Sequence, residues 1–439
     1  MTPTDRTGPA GPGEPVPRPP AAAPRGALES HRVAFTGRGG EYFRVWIVNV
    51  LLTLVTIGLY TPFARKRTVQ YFYGHTLVAG TPLEFTASAR RMFVGFLVLV
   101  LMYVIYNVAE STGQYVVAGV MLVISVVLTP FFWGSAMRFR LRSTRWRGVR
   151  LAFVARWREV YAASWPMFVM VGLWLALFTA MALMTGSGLE DSLNDLADIP
   201  EAIDANEDED ALRDMDTPFV PLFGLGVLLV GLLSLLCFVR LEFNYRRLFV
   251  RRARVGQQFG LWKPTFGAFV RIWLATAGLA LLCFMVIGVL VSVLMVLGFA
   301  SVTSQTLTDF LLRHIMLAAM LAVLGLVMFF VLTAPVLAYR EARVFRLVWD
   351  QVGLGHIARS KCTLGVWGFV GLRMKNVLFT LLTLGFYRPF ARVSEYRRKV
   401  ESVTLHVRGG IDQLEGQLVR EQGALGDALA DAMGLDIIG

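Results

Sequence analysis

Charge, cysteine and histidine are all scarce in this chain. Of its 439 residues only 17% are Asp, Glu, Lys or Arg, against 55% hydrophobic, and the mean hydropathy is +0.57. Soluble domains carry about a quarter charged residues, so this composition excludes a soluble globular protein and leaves a membrane protein. Three cysteines, Cys237, Cys283 and Cys362, are too few and too odd for a disulfide framework. His31, His75, His314, His356 and His406 are scattered, with no HExxH and no CxxC, so neither a metal nor another cofactor is expected. "GRGGEYF", Gly37 to Phe43, lacks the GK[ST] ending of a phosphate loop. No paired carboxylate or activated nucleophile falls inside an apolar run, and the chain does not read as an enzyme. An apolar h-region with a cleavage site is also missing ahead of the first hydrophobic segment, which is therefore expected to be retained.

What is present is a series of long apolar runs, at 93–108, 115–136, 163–185, 218–239, 272–299 and 315–339, free of Asp, Glu, Lys and Arg. Each approaches the roughly 20 residues of a bilayer crossing. The formal charge of +12 is unevenly placed: Arg and Lys crowd at 65–67, 138–158, 240–254, 340–346 and 388–399, whereas 190–216 holds twelve acids and one Arg. By the positive-inside rule the basic segments are cytoplasmic and the acidic one external. Topology thus accounts for the charge without a nucleic-acid partner.

The stretch "NVLLTLVTIGLYTPFAR", Asn49 to Arg65, returns as "NVLFTLLTLGFYRPFAR", Asn376 to Arg392. A second repeat links Thr61, Pro62, Phe63, Thr76, Gly80, Leu83, Phe85 and Phe93 to Thr129, Pro130, Phe131, Thr144, Gly148, Leu151, Phe153 and Tyr161 at a constant offset. Between Thr and Phe, β-branched and aromatic residues flank a Gly, the signature of a short hairpin. "FTGRGGEYF" repeats the back half of this unit and "VESVTLHVRGGIDQL" the front half, an opening and a closing half-module. Both copies of the long stretch have basic flanks on either side and are too short to cross twice. The expected fold is a polytopic α-helical membrane protein: six full transmembrane helices bracketed by two re-entrant or interfacial helices, with short cytoplasmic β-hairpins and both termini cytoplasmic. Eight spans with external termini is the alternative. The expected organisation is a disordered Pro/Ala/Gly-rich tail at 1–31, an N-terminal half-module at 32–92, a membrane core at 93–346 with an external acidic loop at 189–217, a C-terminal half-module at 347–410 and a cytoplasmic tail at 411–439.

On a helix, Asn49, Thr53, Thr56 and Tyr60 form one polar stripe, which Asn376, Thr380, Thr383 and Tyr387 reproduce. Either the stripes line a pathway, as broken helices do in transporters, or they glue helices together. Gly58 and Gly385 fall on the opposite face, where a backbone can approach, and Pro62 and Pro389 are expected to end the helix. Arg373 and Lys375, tolerable in a shallow segment, are candidates for anion or lipid contact, with Arg138, Arg140 and Arg142 of a basic linker that attracts anionic lipid at the cytoplasmic face. Thr129-Pro130 and Thr333-Ala334-Pro335 are expected to bend or terminate their spans.

The run "FTGRGGEYFRVWIVNVLLTLVTIGLYTPFARKRTVQYFYGHTLVAGTPLEF", with "STRWRGVRLAFVARWREVY" and the tail "GALGDALADAMGLDI", resembles the YjgN-like family of bacterial inner-membrane proteins, a domain of unknown function. The likeness covers essentially the chain after residue 32 and implies a multi-pass protein of the bacterial cytoplasmic membrane. It brings no catalytic residues. The residues themselves suggest a solute channel or transporter with a polar pathway near the twin stretches, or else a non-transporting membrane scaffold or lipid-binding protein. No residue pattern specifies a substrate or an oligomeric state.

Overall fold

The computed structural model describes residues 28–184, 219–299, 315–355, 357–409, 411 and 416. The acidic segment 190–216, residues 1–27 and nearly all of the stretch after 411 lie outside them. Short strands alternate with helices throughout: β1 (Leu28–Arg32), β2 (Ala34–Phe35), α1 (Gly39–Val55), α2 (Thr61–Gly74), β3 (Thr76–Val78), β4 (Thr81–Phe85), α3 (Ala89–Ser111), α4 (Tyr115–Arg142), β5 (Thr144–Trp146), β6 (Val149–Phe153), α5 (Trp157–Ala163) and α6 (Trp165–Met184). After the undescribed segment come α7 (Phe219–Arg252), β7 (Ala253–Val255), β8 (Gln258–Trp262), α8 (Phe266–Phe299), α9 (Ile315–Trp349), β9 (Val352–Leu354), β10 (Ala358–Cys362), α10 (Val366–Leu382), α11 (Arg388–Val400) and β11 (Val403–Arg408). Among the described residues five helices are long and apolar enough to cross a membrane, and six if α5 and α6, bent by 48°, form one span.

The strands build one antiparallel sheet in the order β1-β11-β10-β9-β8-β7-β6-β5-β4-β3-β2. Its two outer strands are consecutive in the chain, separated only by Val33, whose N–H donates to the Val403 carbonyl at 3.0 Å. The sheet therefore closes on itself. Five equivalent hairpins make the ring: β3/β4, β5/β6, β7/β8, β9/β10, and a fifth assembled from the two ends of the chain, β11 with β1. The opening and closing half-modules are thus halves of one hairpin. β1 begins at Leu28, inside the segment that composition assigns to the tail, because pairing with β11 supplies the backbone partners its own side chains do not.

Each hairpin ends on a buried side chain, Phe35, Phe85, Phe153, Trp262 or Cys362, and a helix starts four residues later. The first two hairpins turn through left-handed pairs, Ala79-Gly80 (φ 49° and 76°) and Arg147-Gly148 (φ 48° and 79°), as a two-residue type I′ turn requires. A single backbone bond recurs where neighbouring hairpins join: Thr36 N–H to His75 O, Thr86 to Ser143, Val154 to Arg252 and Thr363 to Ser402, all 2.8 to 3.0 Å. Side chains from all five hairpins then converge on one apolar cluster, with Val78, Trp146, Val255, Ile357 and Val407 as one representative of each. That cluster plugs the ring on the sheet side.

The helices follow the same closed path. Their substantial packings run in chain order from α1 to α11, and α1 packs against α11 to close the circuit. α1/α2 and α10/α11, the elements that carry the twin stretches, therefore stand side by side. Each is a helix, a tight turn and a returning helix that begins and ends at the same sheet. Pro130 and Pro335 lie inside continuous helices and do not terminate them. Pro62, Pro130 and Pro389 all stand fourteen residues before the next strand, at Thr76, Thr144 and Val403. The chain starts a new helix at this position in the short hairpins and runs straight through it in α4.

Candidate functional site

The twin stretches encode a helical hairpin. Thr53 and Thr380 donate to the carbonyls of Asn49 and Asn376 one turn back, and Thr56 and Thr383 donate to Leu52 and Phe379. Thr56 and Thr383 also accept from the N–H of Tyr60 and Tyr387, at 3.0 and 2.9 Å, and so span the break. Each asparagine bonds across the hairpin to a carbonyl fifteen residues on, Asn49 to Ala64 and Asn376 to Ala391. Tyr60 stacks on Phe63, and Tyr387 on Phe390. The stripe's polar groups serve the turn itself.

Two expectations change here. Gly58 and Gly385 do not sit on a packing face: they take φ of 88° and 95°, a Cβ on either would meet nothing within 4 Å, and their role is the left-handed turn. Pro62 and Pro389 open the returning helices, where a missing N–H costs nothing, and do not close the outgoing ones. The tips carry exposed apolar side chains, Ile57 at 94% and Leu384 at 91%, flanked by Leu54, Val55, Leu382 and Phe386.

Of the five proposed anion contacts, Arg373 already holds carboxylates: Glu341 on α9 and, at 2.7 Å, Glu395 on α11. Lys375 lies 5.8 Å from the Phe379 ring centroid. Arg138 stacks on Trp157 at 3.8 Å and donates to Ala155 O, Arg140 reaches Tyr73, and Arg142 is exposed at the end of α4.

Arg373 belongs to a belt of charge around the sheet-side ends of α7, α9, α10 and α11. Glu242 accepts from Arg246 at 2.7 Å with one oxygen and from Arg340 with the other. Glu341 accepts from Lys399 at 2.6 Å and from Arg373. Asn376 extends the belt into the C-terminal hairpin through Ser394 at 3.1 Å and Glu395 at 2.9 Å. Burial pushes the Glu395 carboxyl above the usual carboxylate range, against the opposing pull of Asn376 and Arg373. A cavity of about 500 Å³ opens beside this belt. Glu242, Arg246, Arg340, Glu341 and Arg373 form its charged end, and Phe330, Ala334, Leu337 and Val377 its apolar wall. Sequence reasoning did not find the cavity: Glu242 and Arg340 stand far apart in the chain, and each alone reads as an ordinary charge at a span end. Among the described residues no three His, Cys, Asp or Glu side chains converge to hold a metal.

The family described as "Bacterial protein of unknown function (DUF898)" matches residues 30–432. Among curated proteins, "Inner membrane protein YjgN" of Salmonella typhimurium LT2 is 26% identical over 151 residues, 34% of this chain and 38% of that protein. Its counterpart in Escherichia coli K12 is 27% identical over 159 residues, 36% of this chain and 40% of that protein. The matched region spans about two fifths of each relative's length. No solved structure matches.

Proposed function

The chain belongs to the DUF898 family, and from that premise we propose that it is a lipid-interacting scaffold of the bacterial inner membrane, with the sheet and both termini on the cytoplasmic side and the twin hairpins re-entrant. The observation that carries this reading is a wall of uneven height. Six helices (α3, α4, α6, α7, α8 and α9) have the length or, with α5, the combined length of a span, whereas the adjacent α10, α11, α1 and α2 rise only 17, 13, 17 and 14 residues. At 1.5 Å per residue, 17 residues reach about 25 Å from the sheet, short of a hydrocarbon core of about 30 Å plus its headgroup layer. Among the described residues α1, α2, α10 and α11 carry nothing above the two tips, and bare Ile57 and Leu384 suit acyl chains there. The basic linkers support a cytoplasmic sheet. Bonded stripes and an apolar axial plug favour lipid handling over solute conduction.

Single cysteines at Ile57→Cys and Leu384→Cys, in a chain with Cys237, Cys283 and Cys362 replaced, test the reading. A fluorophore attached there is expected to be quenched several-fold more by lipids bearing a nitroxide at the chain end than by headgroup-labelled ones. Reaction of either cysteine with an impermeant thiol reagent from the external side would mean full spans. One observation favours solute transport instead: the cavity runs along α9 past Pro335. Labelling of Thr53→Cys and Thr380→Cys by the same reagent would support that second reading.

A further inference from the structure

We propose that the cavity between α7, α9 and α10 is a binding site for the phosphodiester of a phospholipid, held by Arg340 and Arg373 with its glycerol end against Phe330, Ala334, Leu337 and Val377. The proposal rests on the lipid-interacting reading above and specifies its ligand.

Donors are left over in the belt, while the carboxylate oxygens of Glu242 and Glu341 are already engaged. Both oxygens of Glu242 are occupied, by Arg246 and Arg340, and both oxygens of Glu341, by Lys399 and Arg373. A guanidinium offers five N–H donors in a fixed fork. The Nε of Arg340 and the Nε of Arg373 are buried with no hydrogen-bond partner among the described residues, although both side chains line the cavity. The rest of each side chain is partly exposed, and the part of each guanidinium that faces the cavity can donate to an oxygen ligand.

Charge narrows its class. Arg246, Arg340, Arg373 and Lys399 oppose Glu242, Glu341 and Glu395, four cations against three carboxylates. The surplus of one matches a single negative charge, and a phosphodiester carries one. Position narrows it further. At 1.5 Å per residue Arg340 stands about 14 Å from the end of α9 at Trp349, and Phe330 about 15 Å deeper, so the charged end lies toward the sheet and the apolar wall toward the bilayer centre. That polarity fits a headgroup with its chains directed inward. Arg340 also stacks on Trp273 at 4.1 Å, which fixes the plane of its fork.

Native mass spectrometry of the full-length protein released from dodecyl maltoside, with dioleoyl phosphatidylglycerol supplied, tests the site. The unaltered chain is expected to retain one phosphatidylglycerol; dioleoylglycerol, which lacks the phosphate, should not be retained, and millimolar inorganic phosphate, which lacks the chains, should not displace the lipid. The double variant Arg340→Gln with Arg373→Gln should weaken retention at least about tenfold. Because that variant strips partners from Glu242, Glu341 and Glu395, Val377→Trp provides a second: it keeps every charge and fills the apolar wall, and should weaken retention comparably. Equal retention by the unaltered chain and Val377→Trp overturns the proposal, as does displacement by inorganic phosphate, which would leave an ion site only. The quenching experiment fails or succeeds separately. Tips outside the bilayer with the lipid still bound would sink the scaffold reading alone; quenched tips with no retained lipid would sink the site alone.

Discussion

Asn49 and Asn376 occupy the same place in the twin hairpins yet hold unequal parts of the structure. The amide of Asn376, 2% exposed, reaches Ala391 O, Ser394 and Glu395. Asn49 makes one long bond of 3.4 Å to Ala64 O, and its own oxygen is buried without a partner among the described residues. Asn376→Ala should cost about 2–3 kcal/mol and Asn49→Ala about 1, read as unequal losses of thermal stability in detergent. Thr380→Val should fall within about 0.5 kcal/mol, since that hydroxyl serves only its own helix. Glu395 adds a pH dependence. Its folded pKa lies above the usual value, so the native state binds the extra proton, and stability falls as pH rises from the ordinary carboxylate range through the raised one. Glu395→Gln should flatten that part of the profile, measured as melting temperature from about pH 4 to about pH 8. The repeated N-x3-T-x2-T was visible as a polar stripe, but its partners were not: Ser394 and Glu395 come within reach only once the chain has turned back.

Among the elements, the two helical turns depend on glycine for backbone conformation alone. Gly58 and Gly385 have empty surroundings and φ near 90°, so Gly58→Ala and Gly385→Ala should each cost about 1 kcal/mol, additively. In β8 the reason differs. A Cβ on Gly260 would lie 2.0 Å from the Val250 carbonyl oxygen, so Gly260→Ala should cost several times more, with backbone displacement visible as altered amide exchange in β7 and β8. Two of the hairpins escaped recognition in the sequence for a simple reason. From turn glycine to strand end is five residues for Gly80 to Phe85 and Gly148 to Phe153, six for Gly256 to Trp262, and seven for Gly355 to Cys362. A constant-offset comparison sees the first pair and misses the second. The Thr-Pro pairs misled in the other direction, because proline opens a helix after a left-handed turn and is merely tolerated within α4.

For the whole molecule, the ring is held at one seam and one plug. Val33→Pro removes the N–H that donates to Val403 and should expose the edges of β11 and β3. The expected result is a lower melting temperature together with concentration-dependent oligomers in light scattering, since an unpaired strand edge is a template for another chain. Trp146→Ala empties the centre of the plug, where its indole also donates to Val78 O at 3.1 Å, and should cost about 3–5 kcal/mol.

Composition and local pattern were enough to determine a membrane protein, its apolar spans, the two repeated stretches too short for a pair of full-length helices, and the presence of hairpins. Those properties are carried by hydropathy, charge placement and turn residues, which act over a few to about 20 neighbouring positions. Only the tertiary structure decided that there are five hairpins, that Leu28 pairs with Arg408, and that the broken helices stand together on one side of the ring. Backbone hydrogen bonding is the same for every strand, so nothing local in "LESHR" specifies a partner 380 positions away (28 to 408); the partner is set by closing the ring and gathering side chains near the turns of all five hairpins in one cluster. The charged cavity has the same origin, because it exists only where α7, α9 and α10 meet.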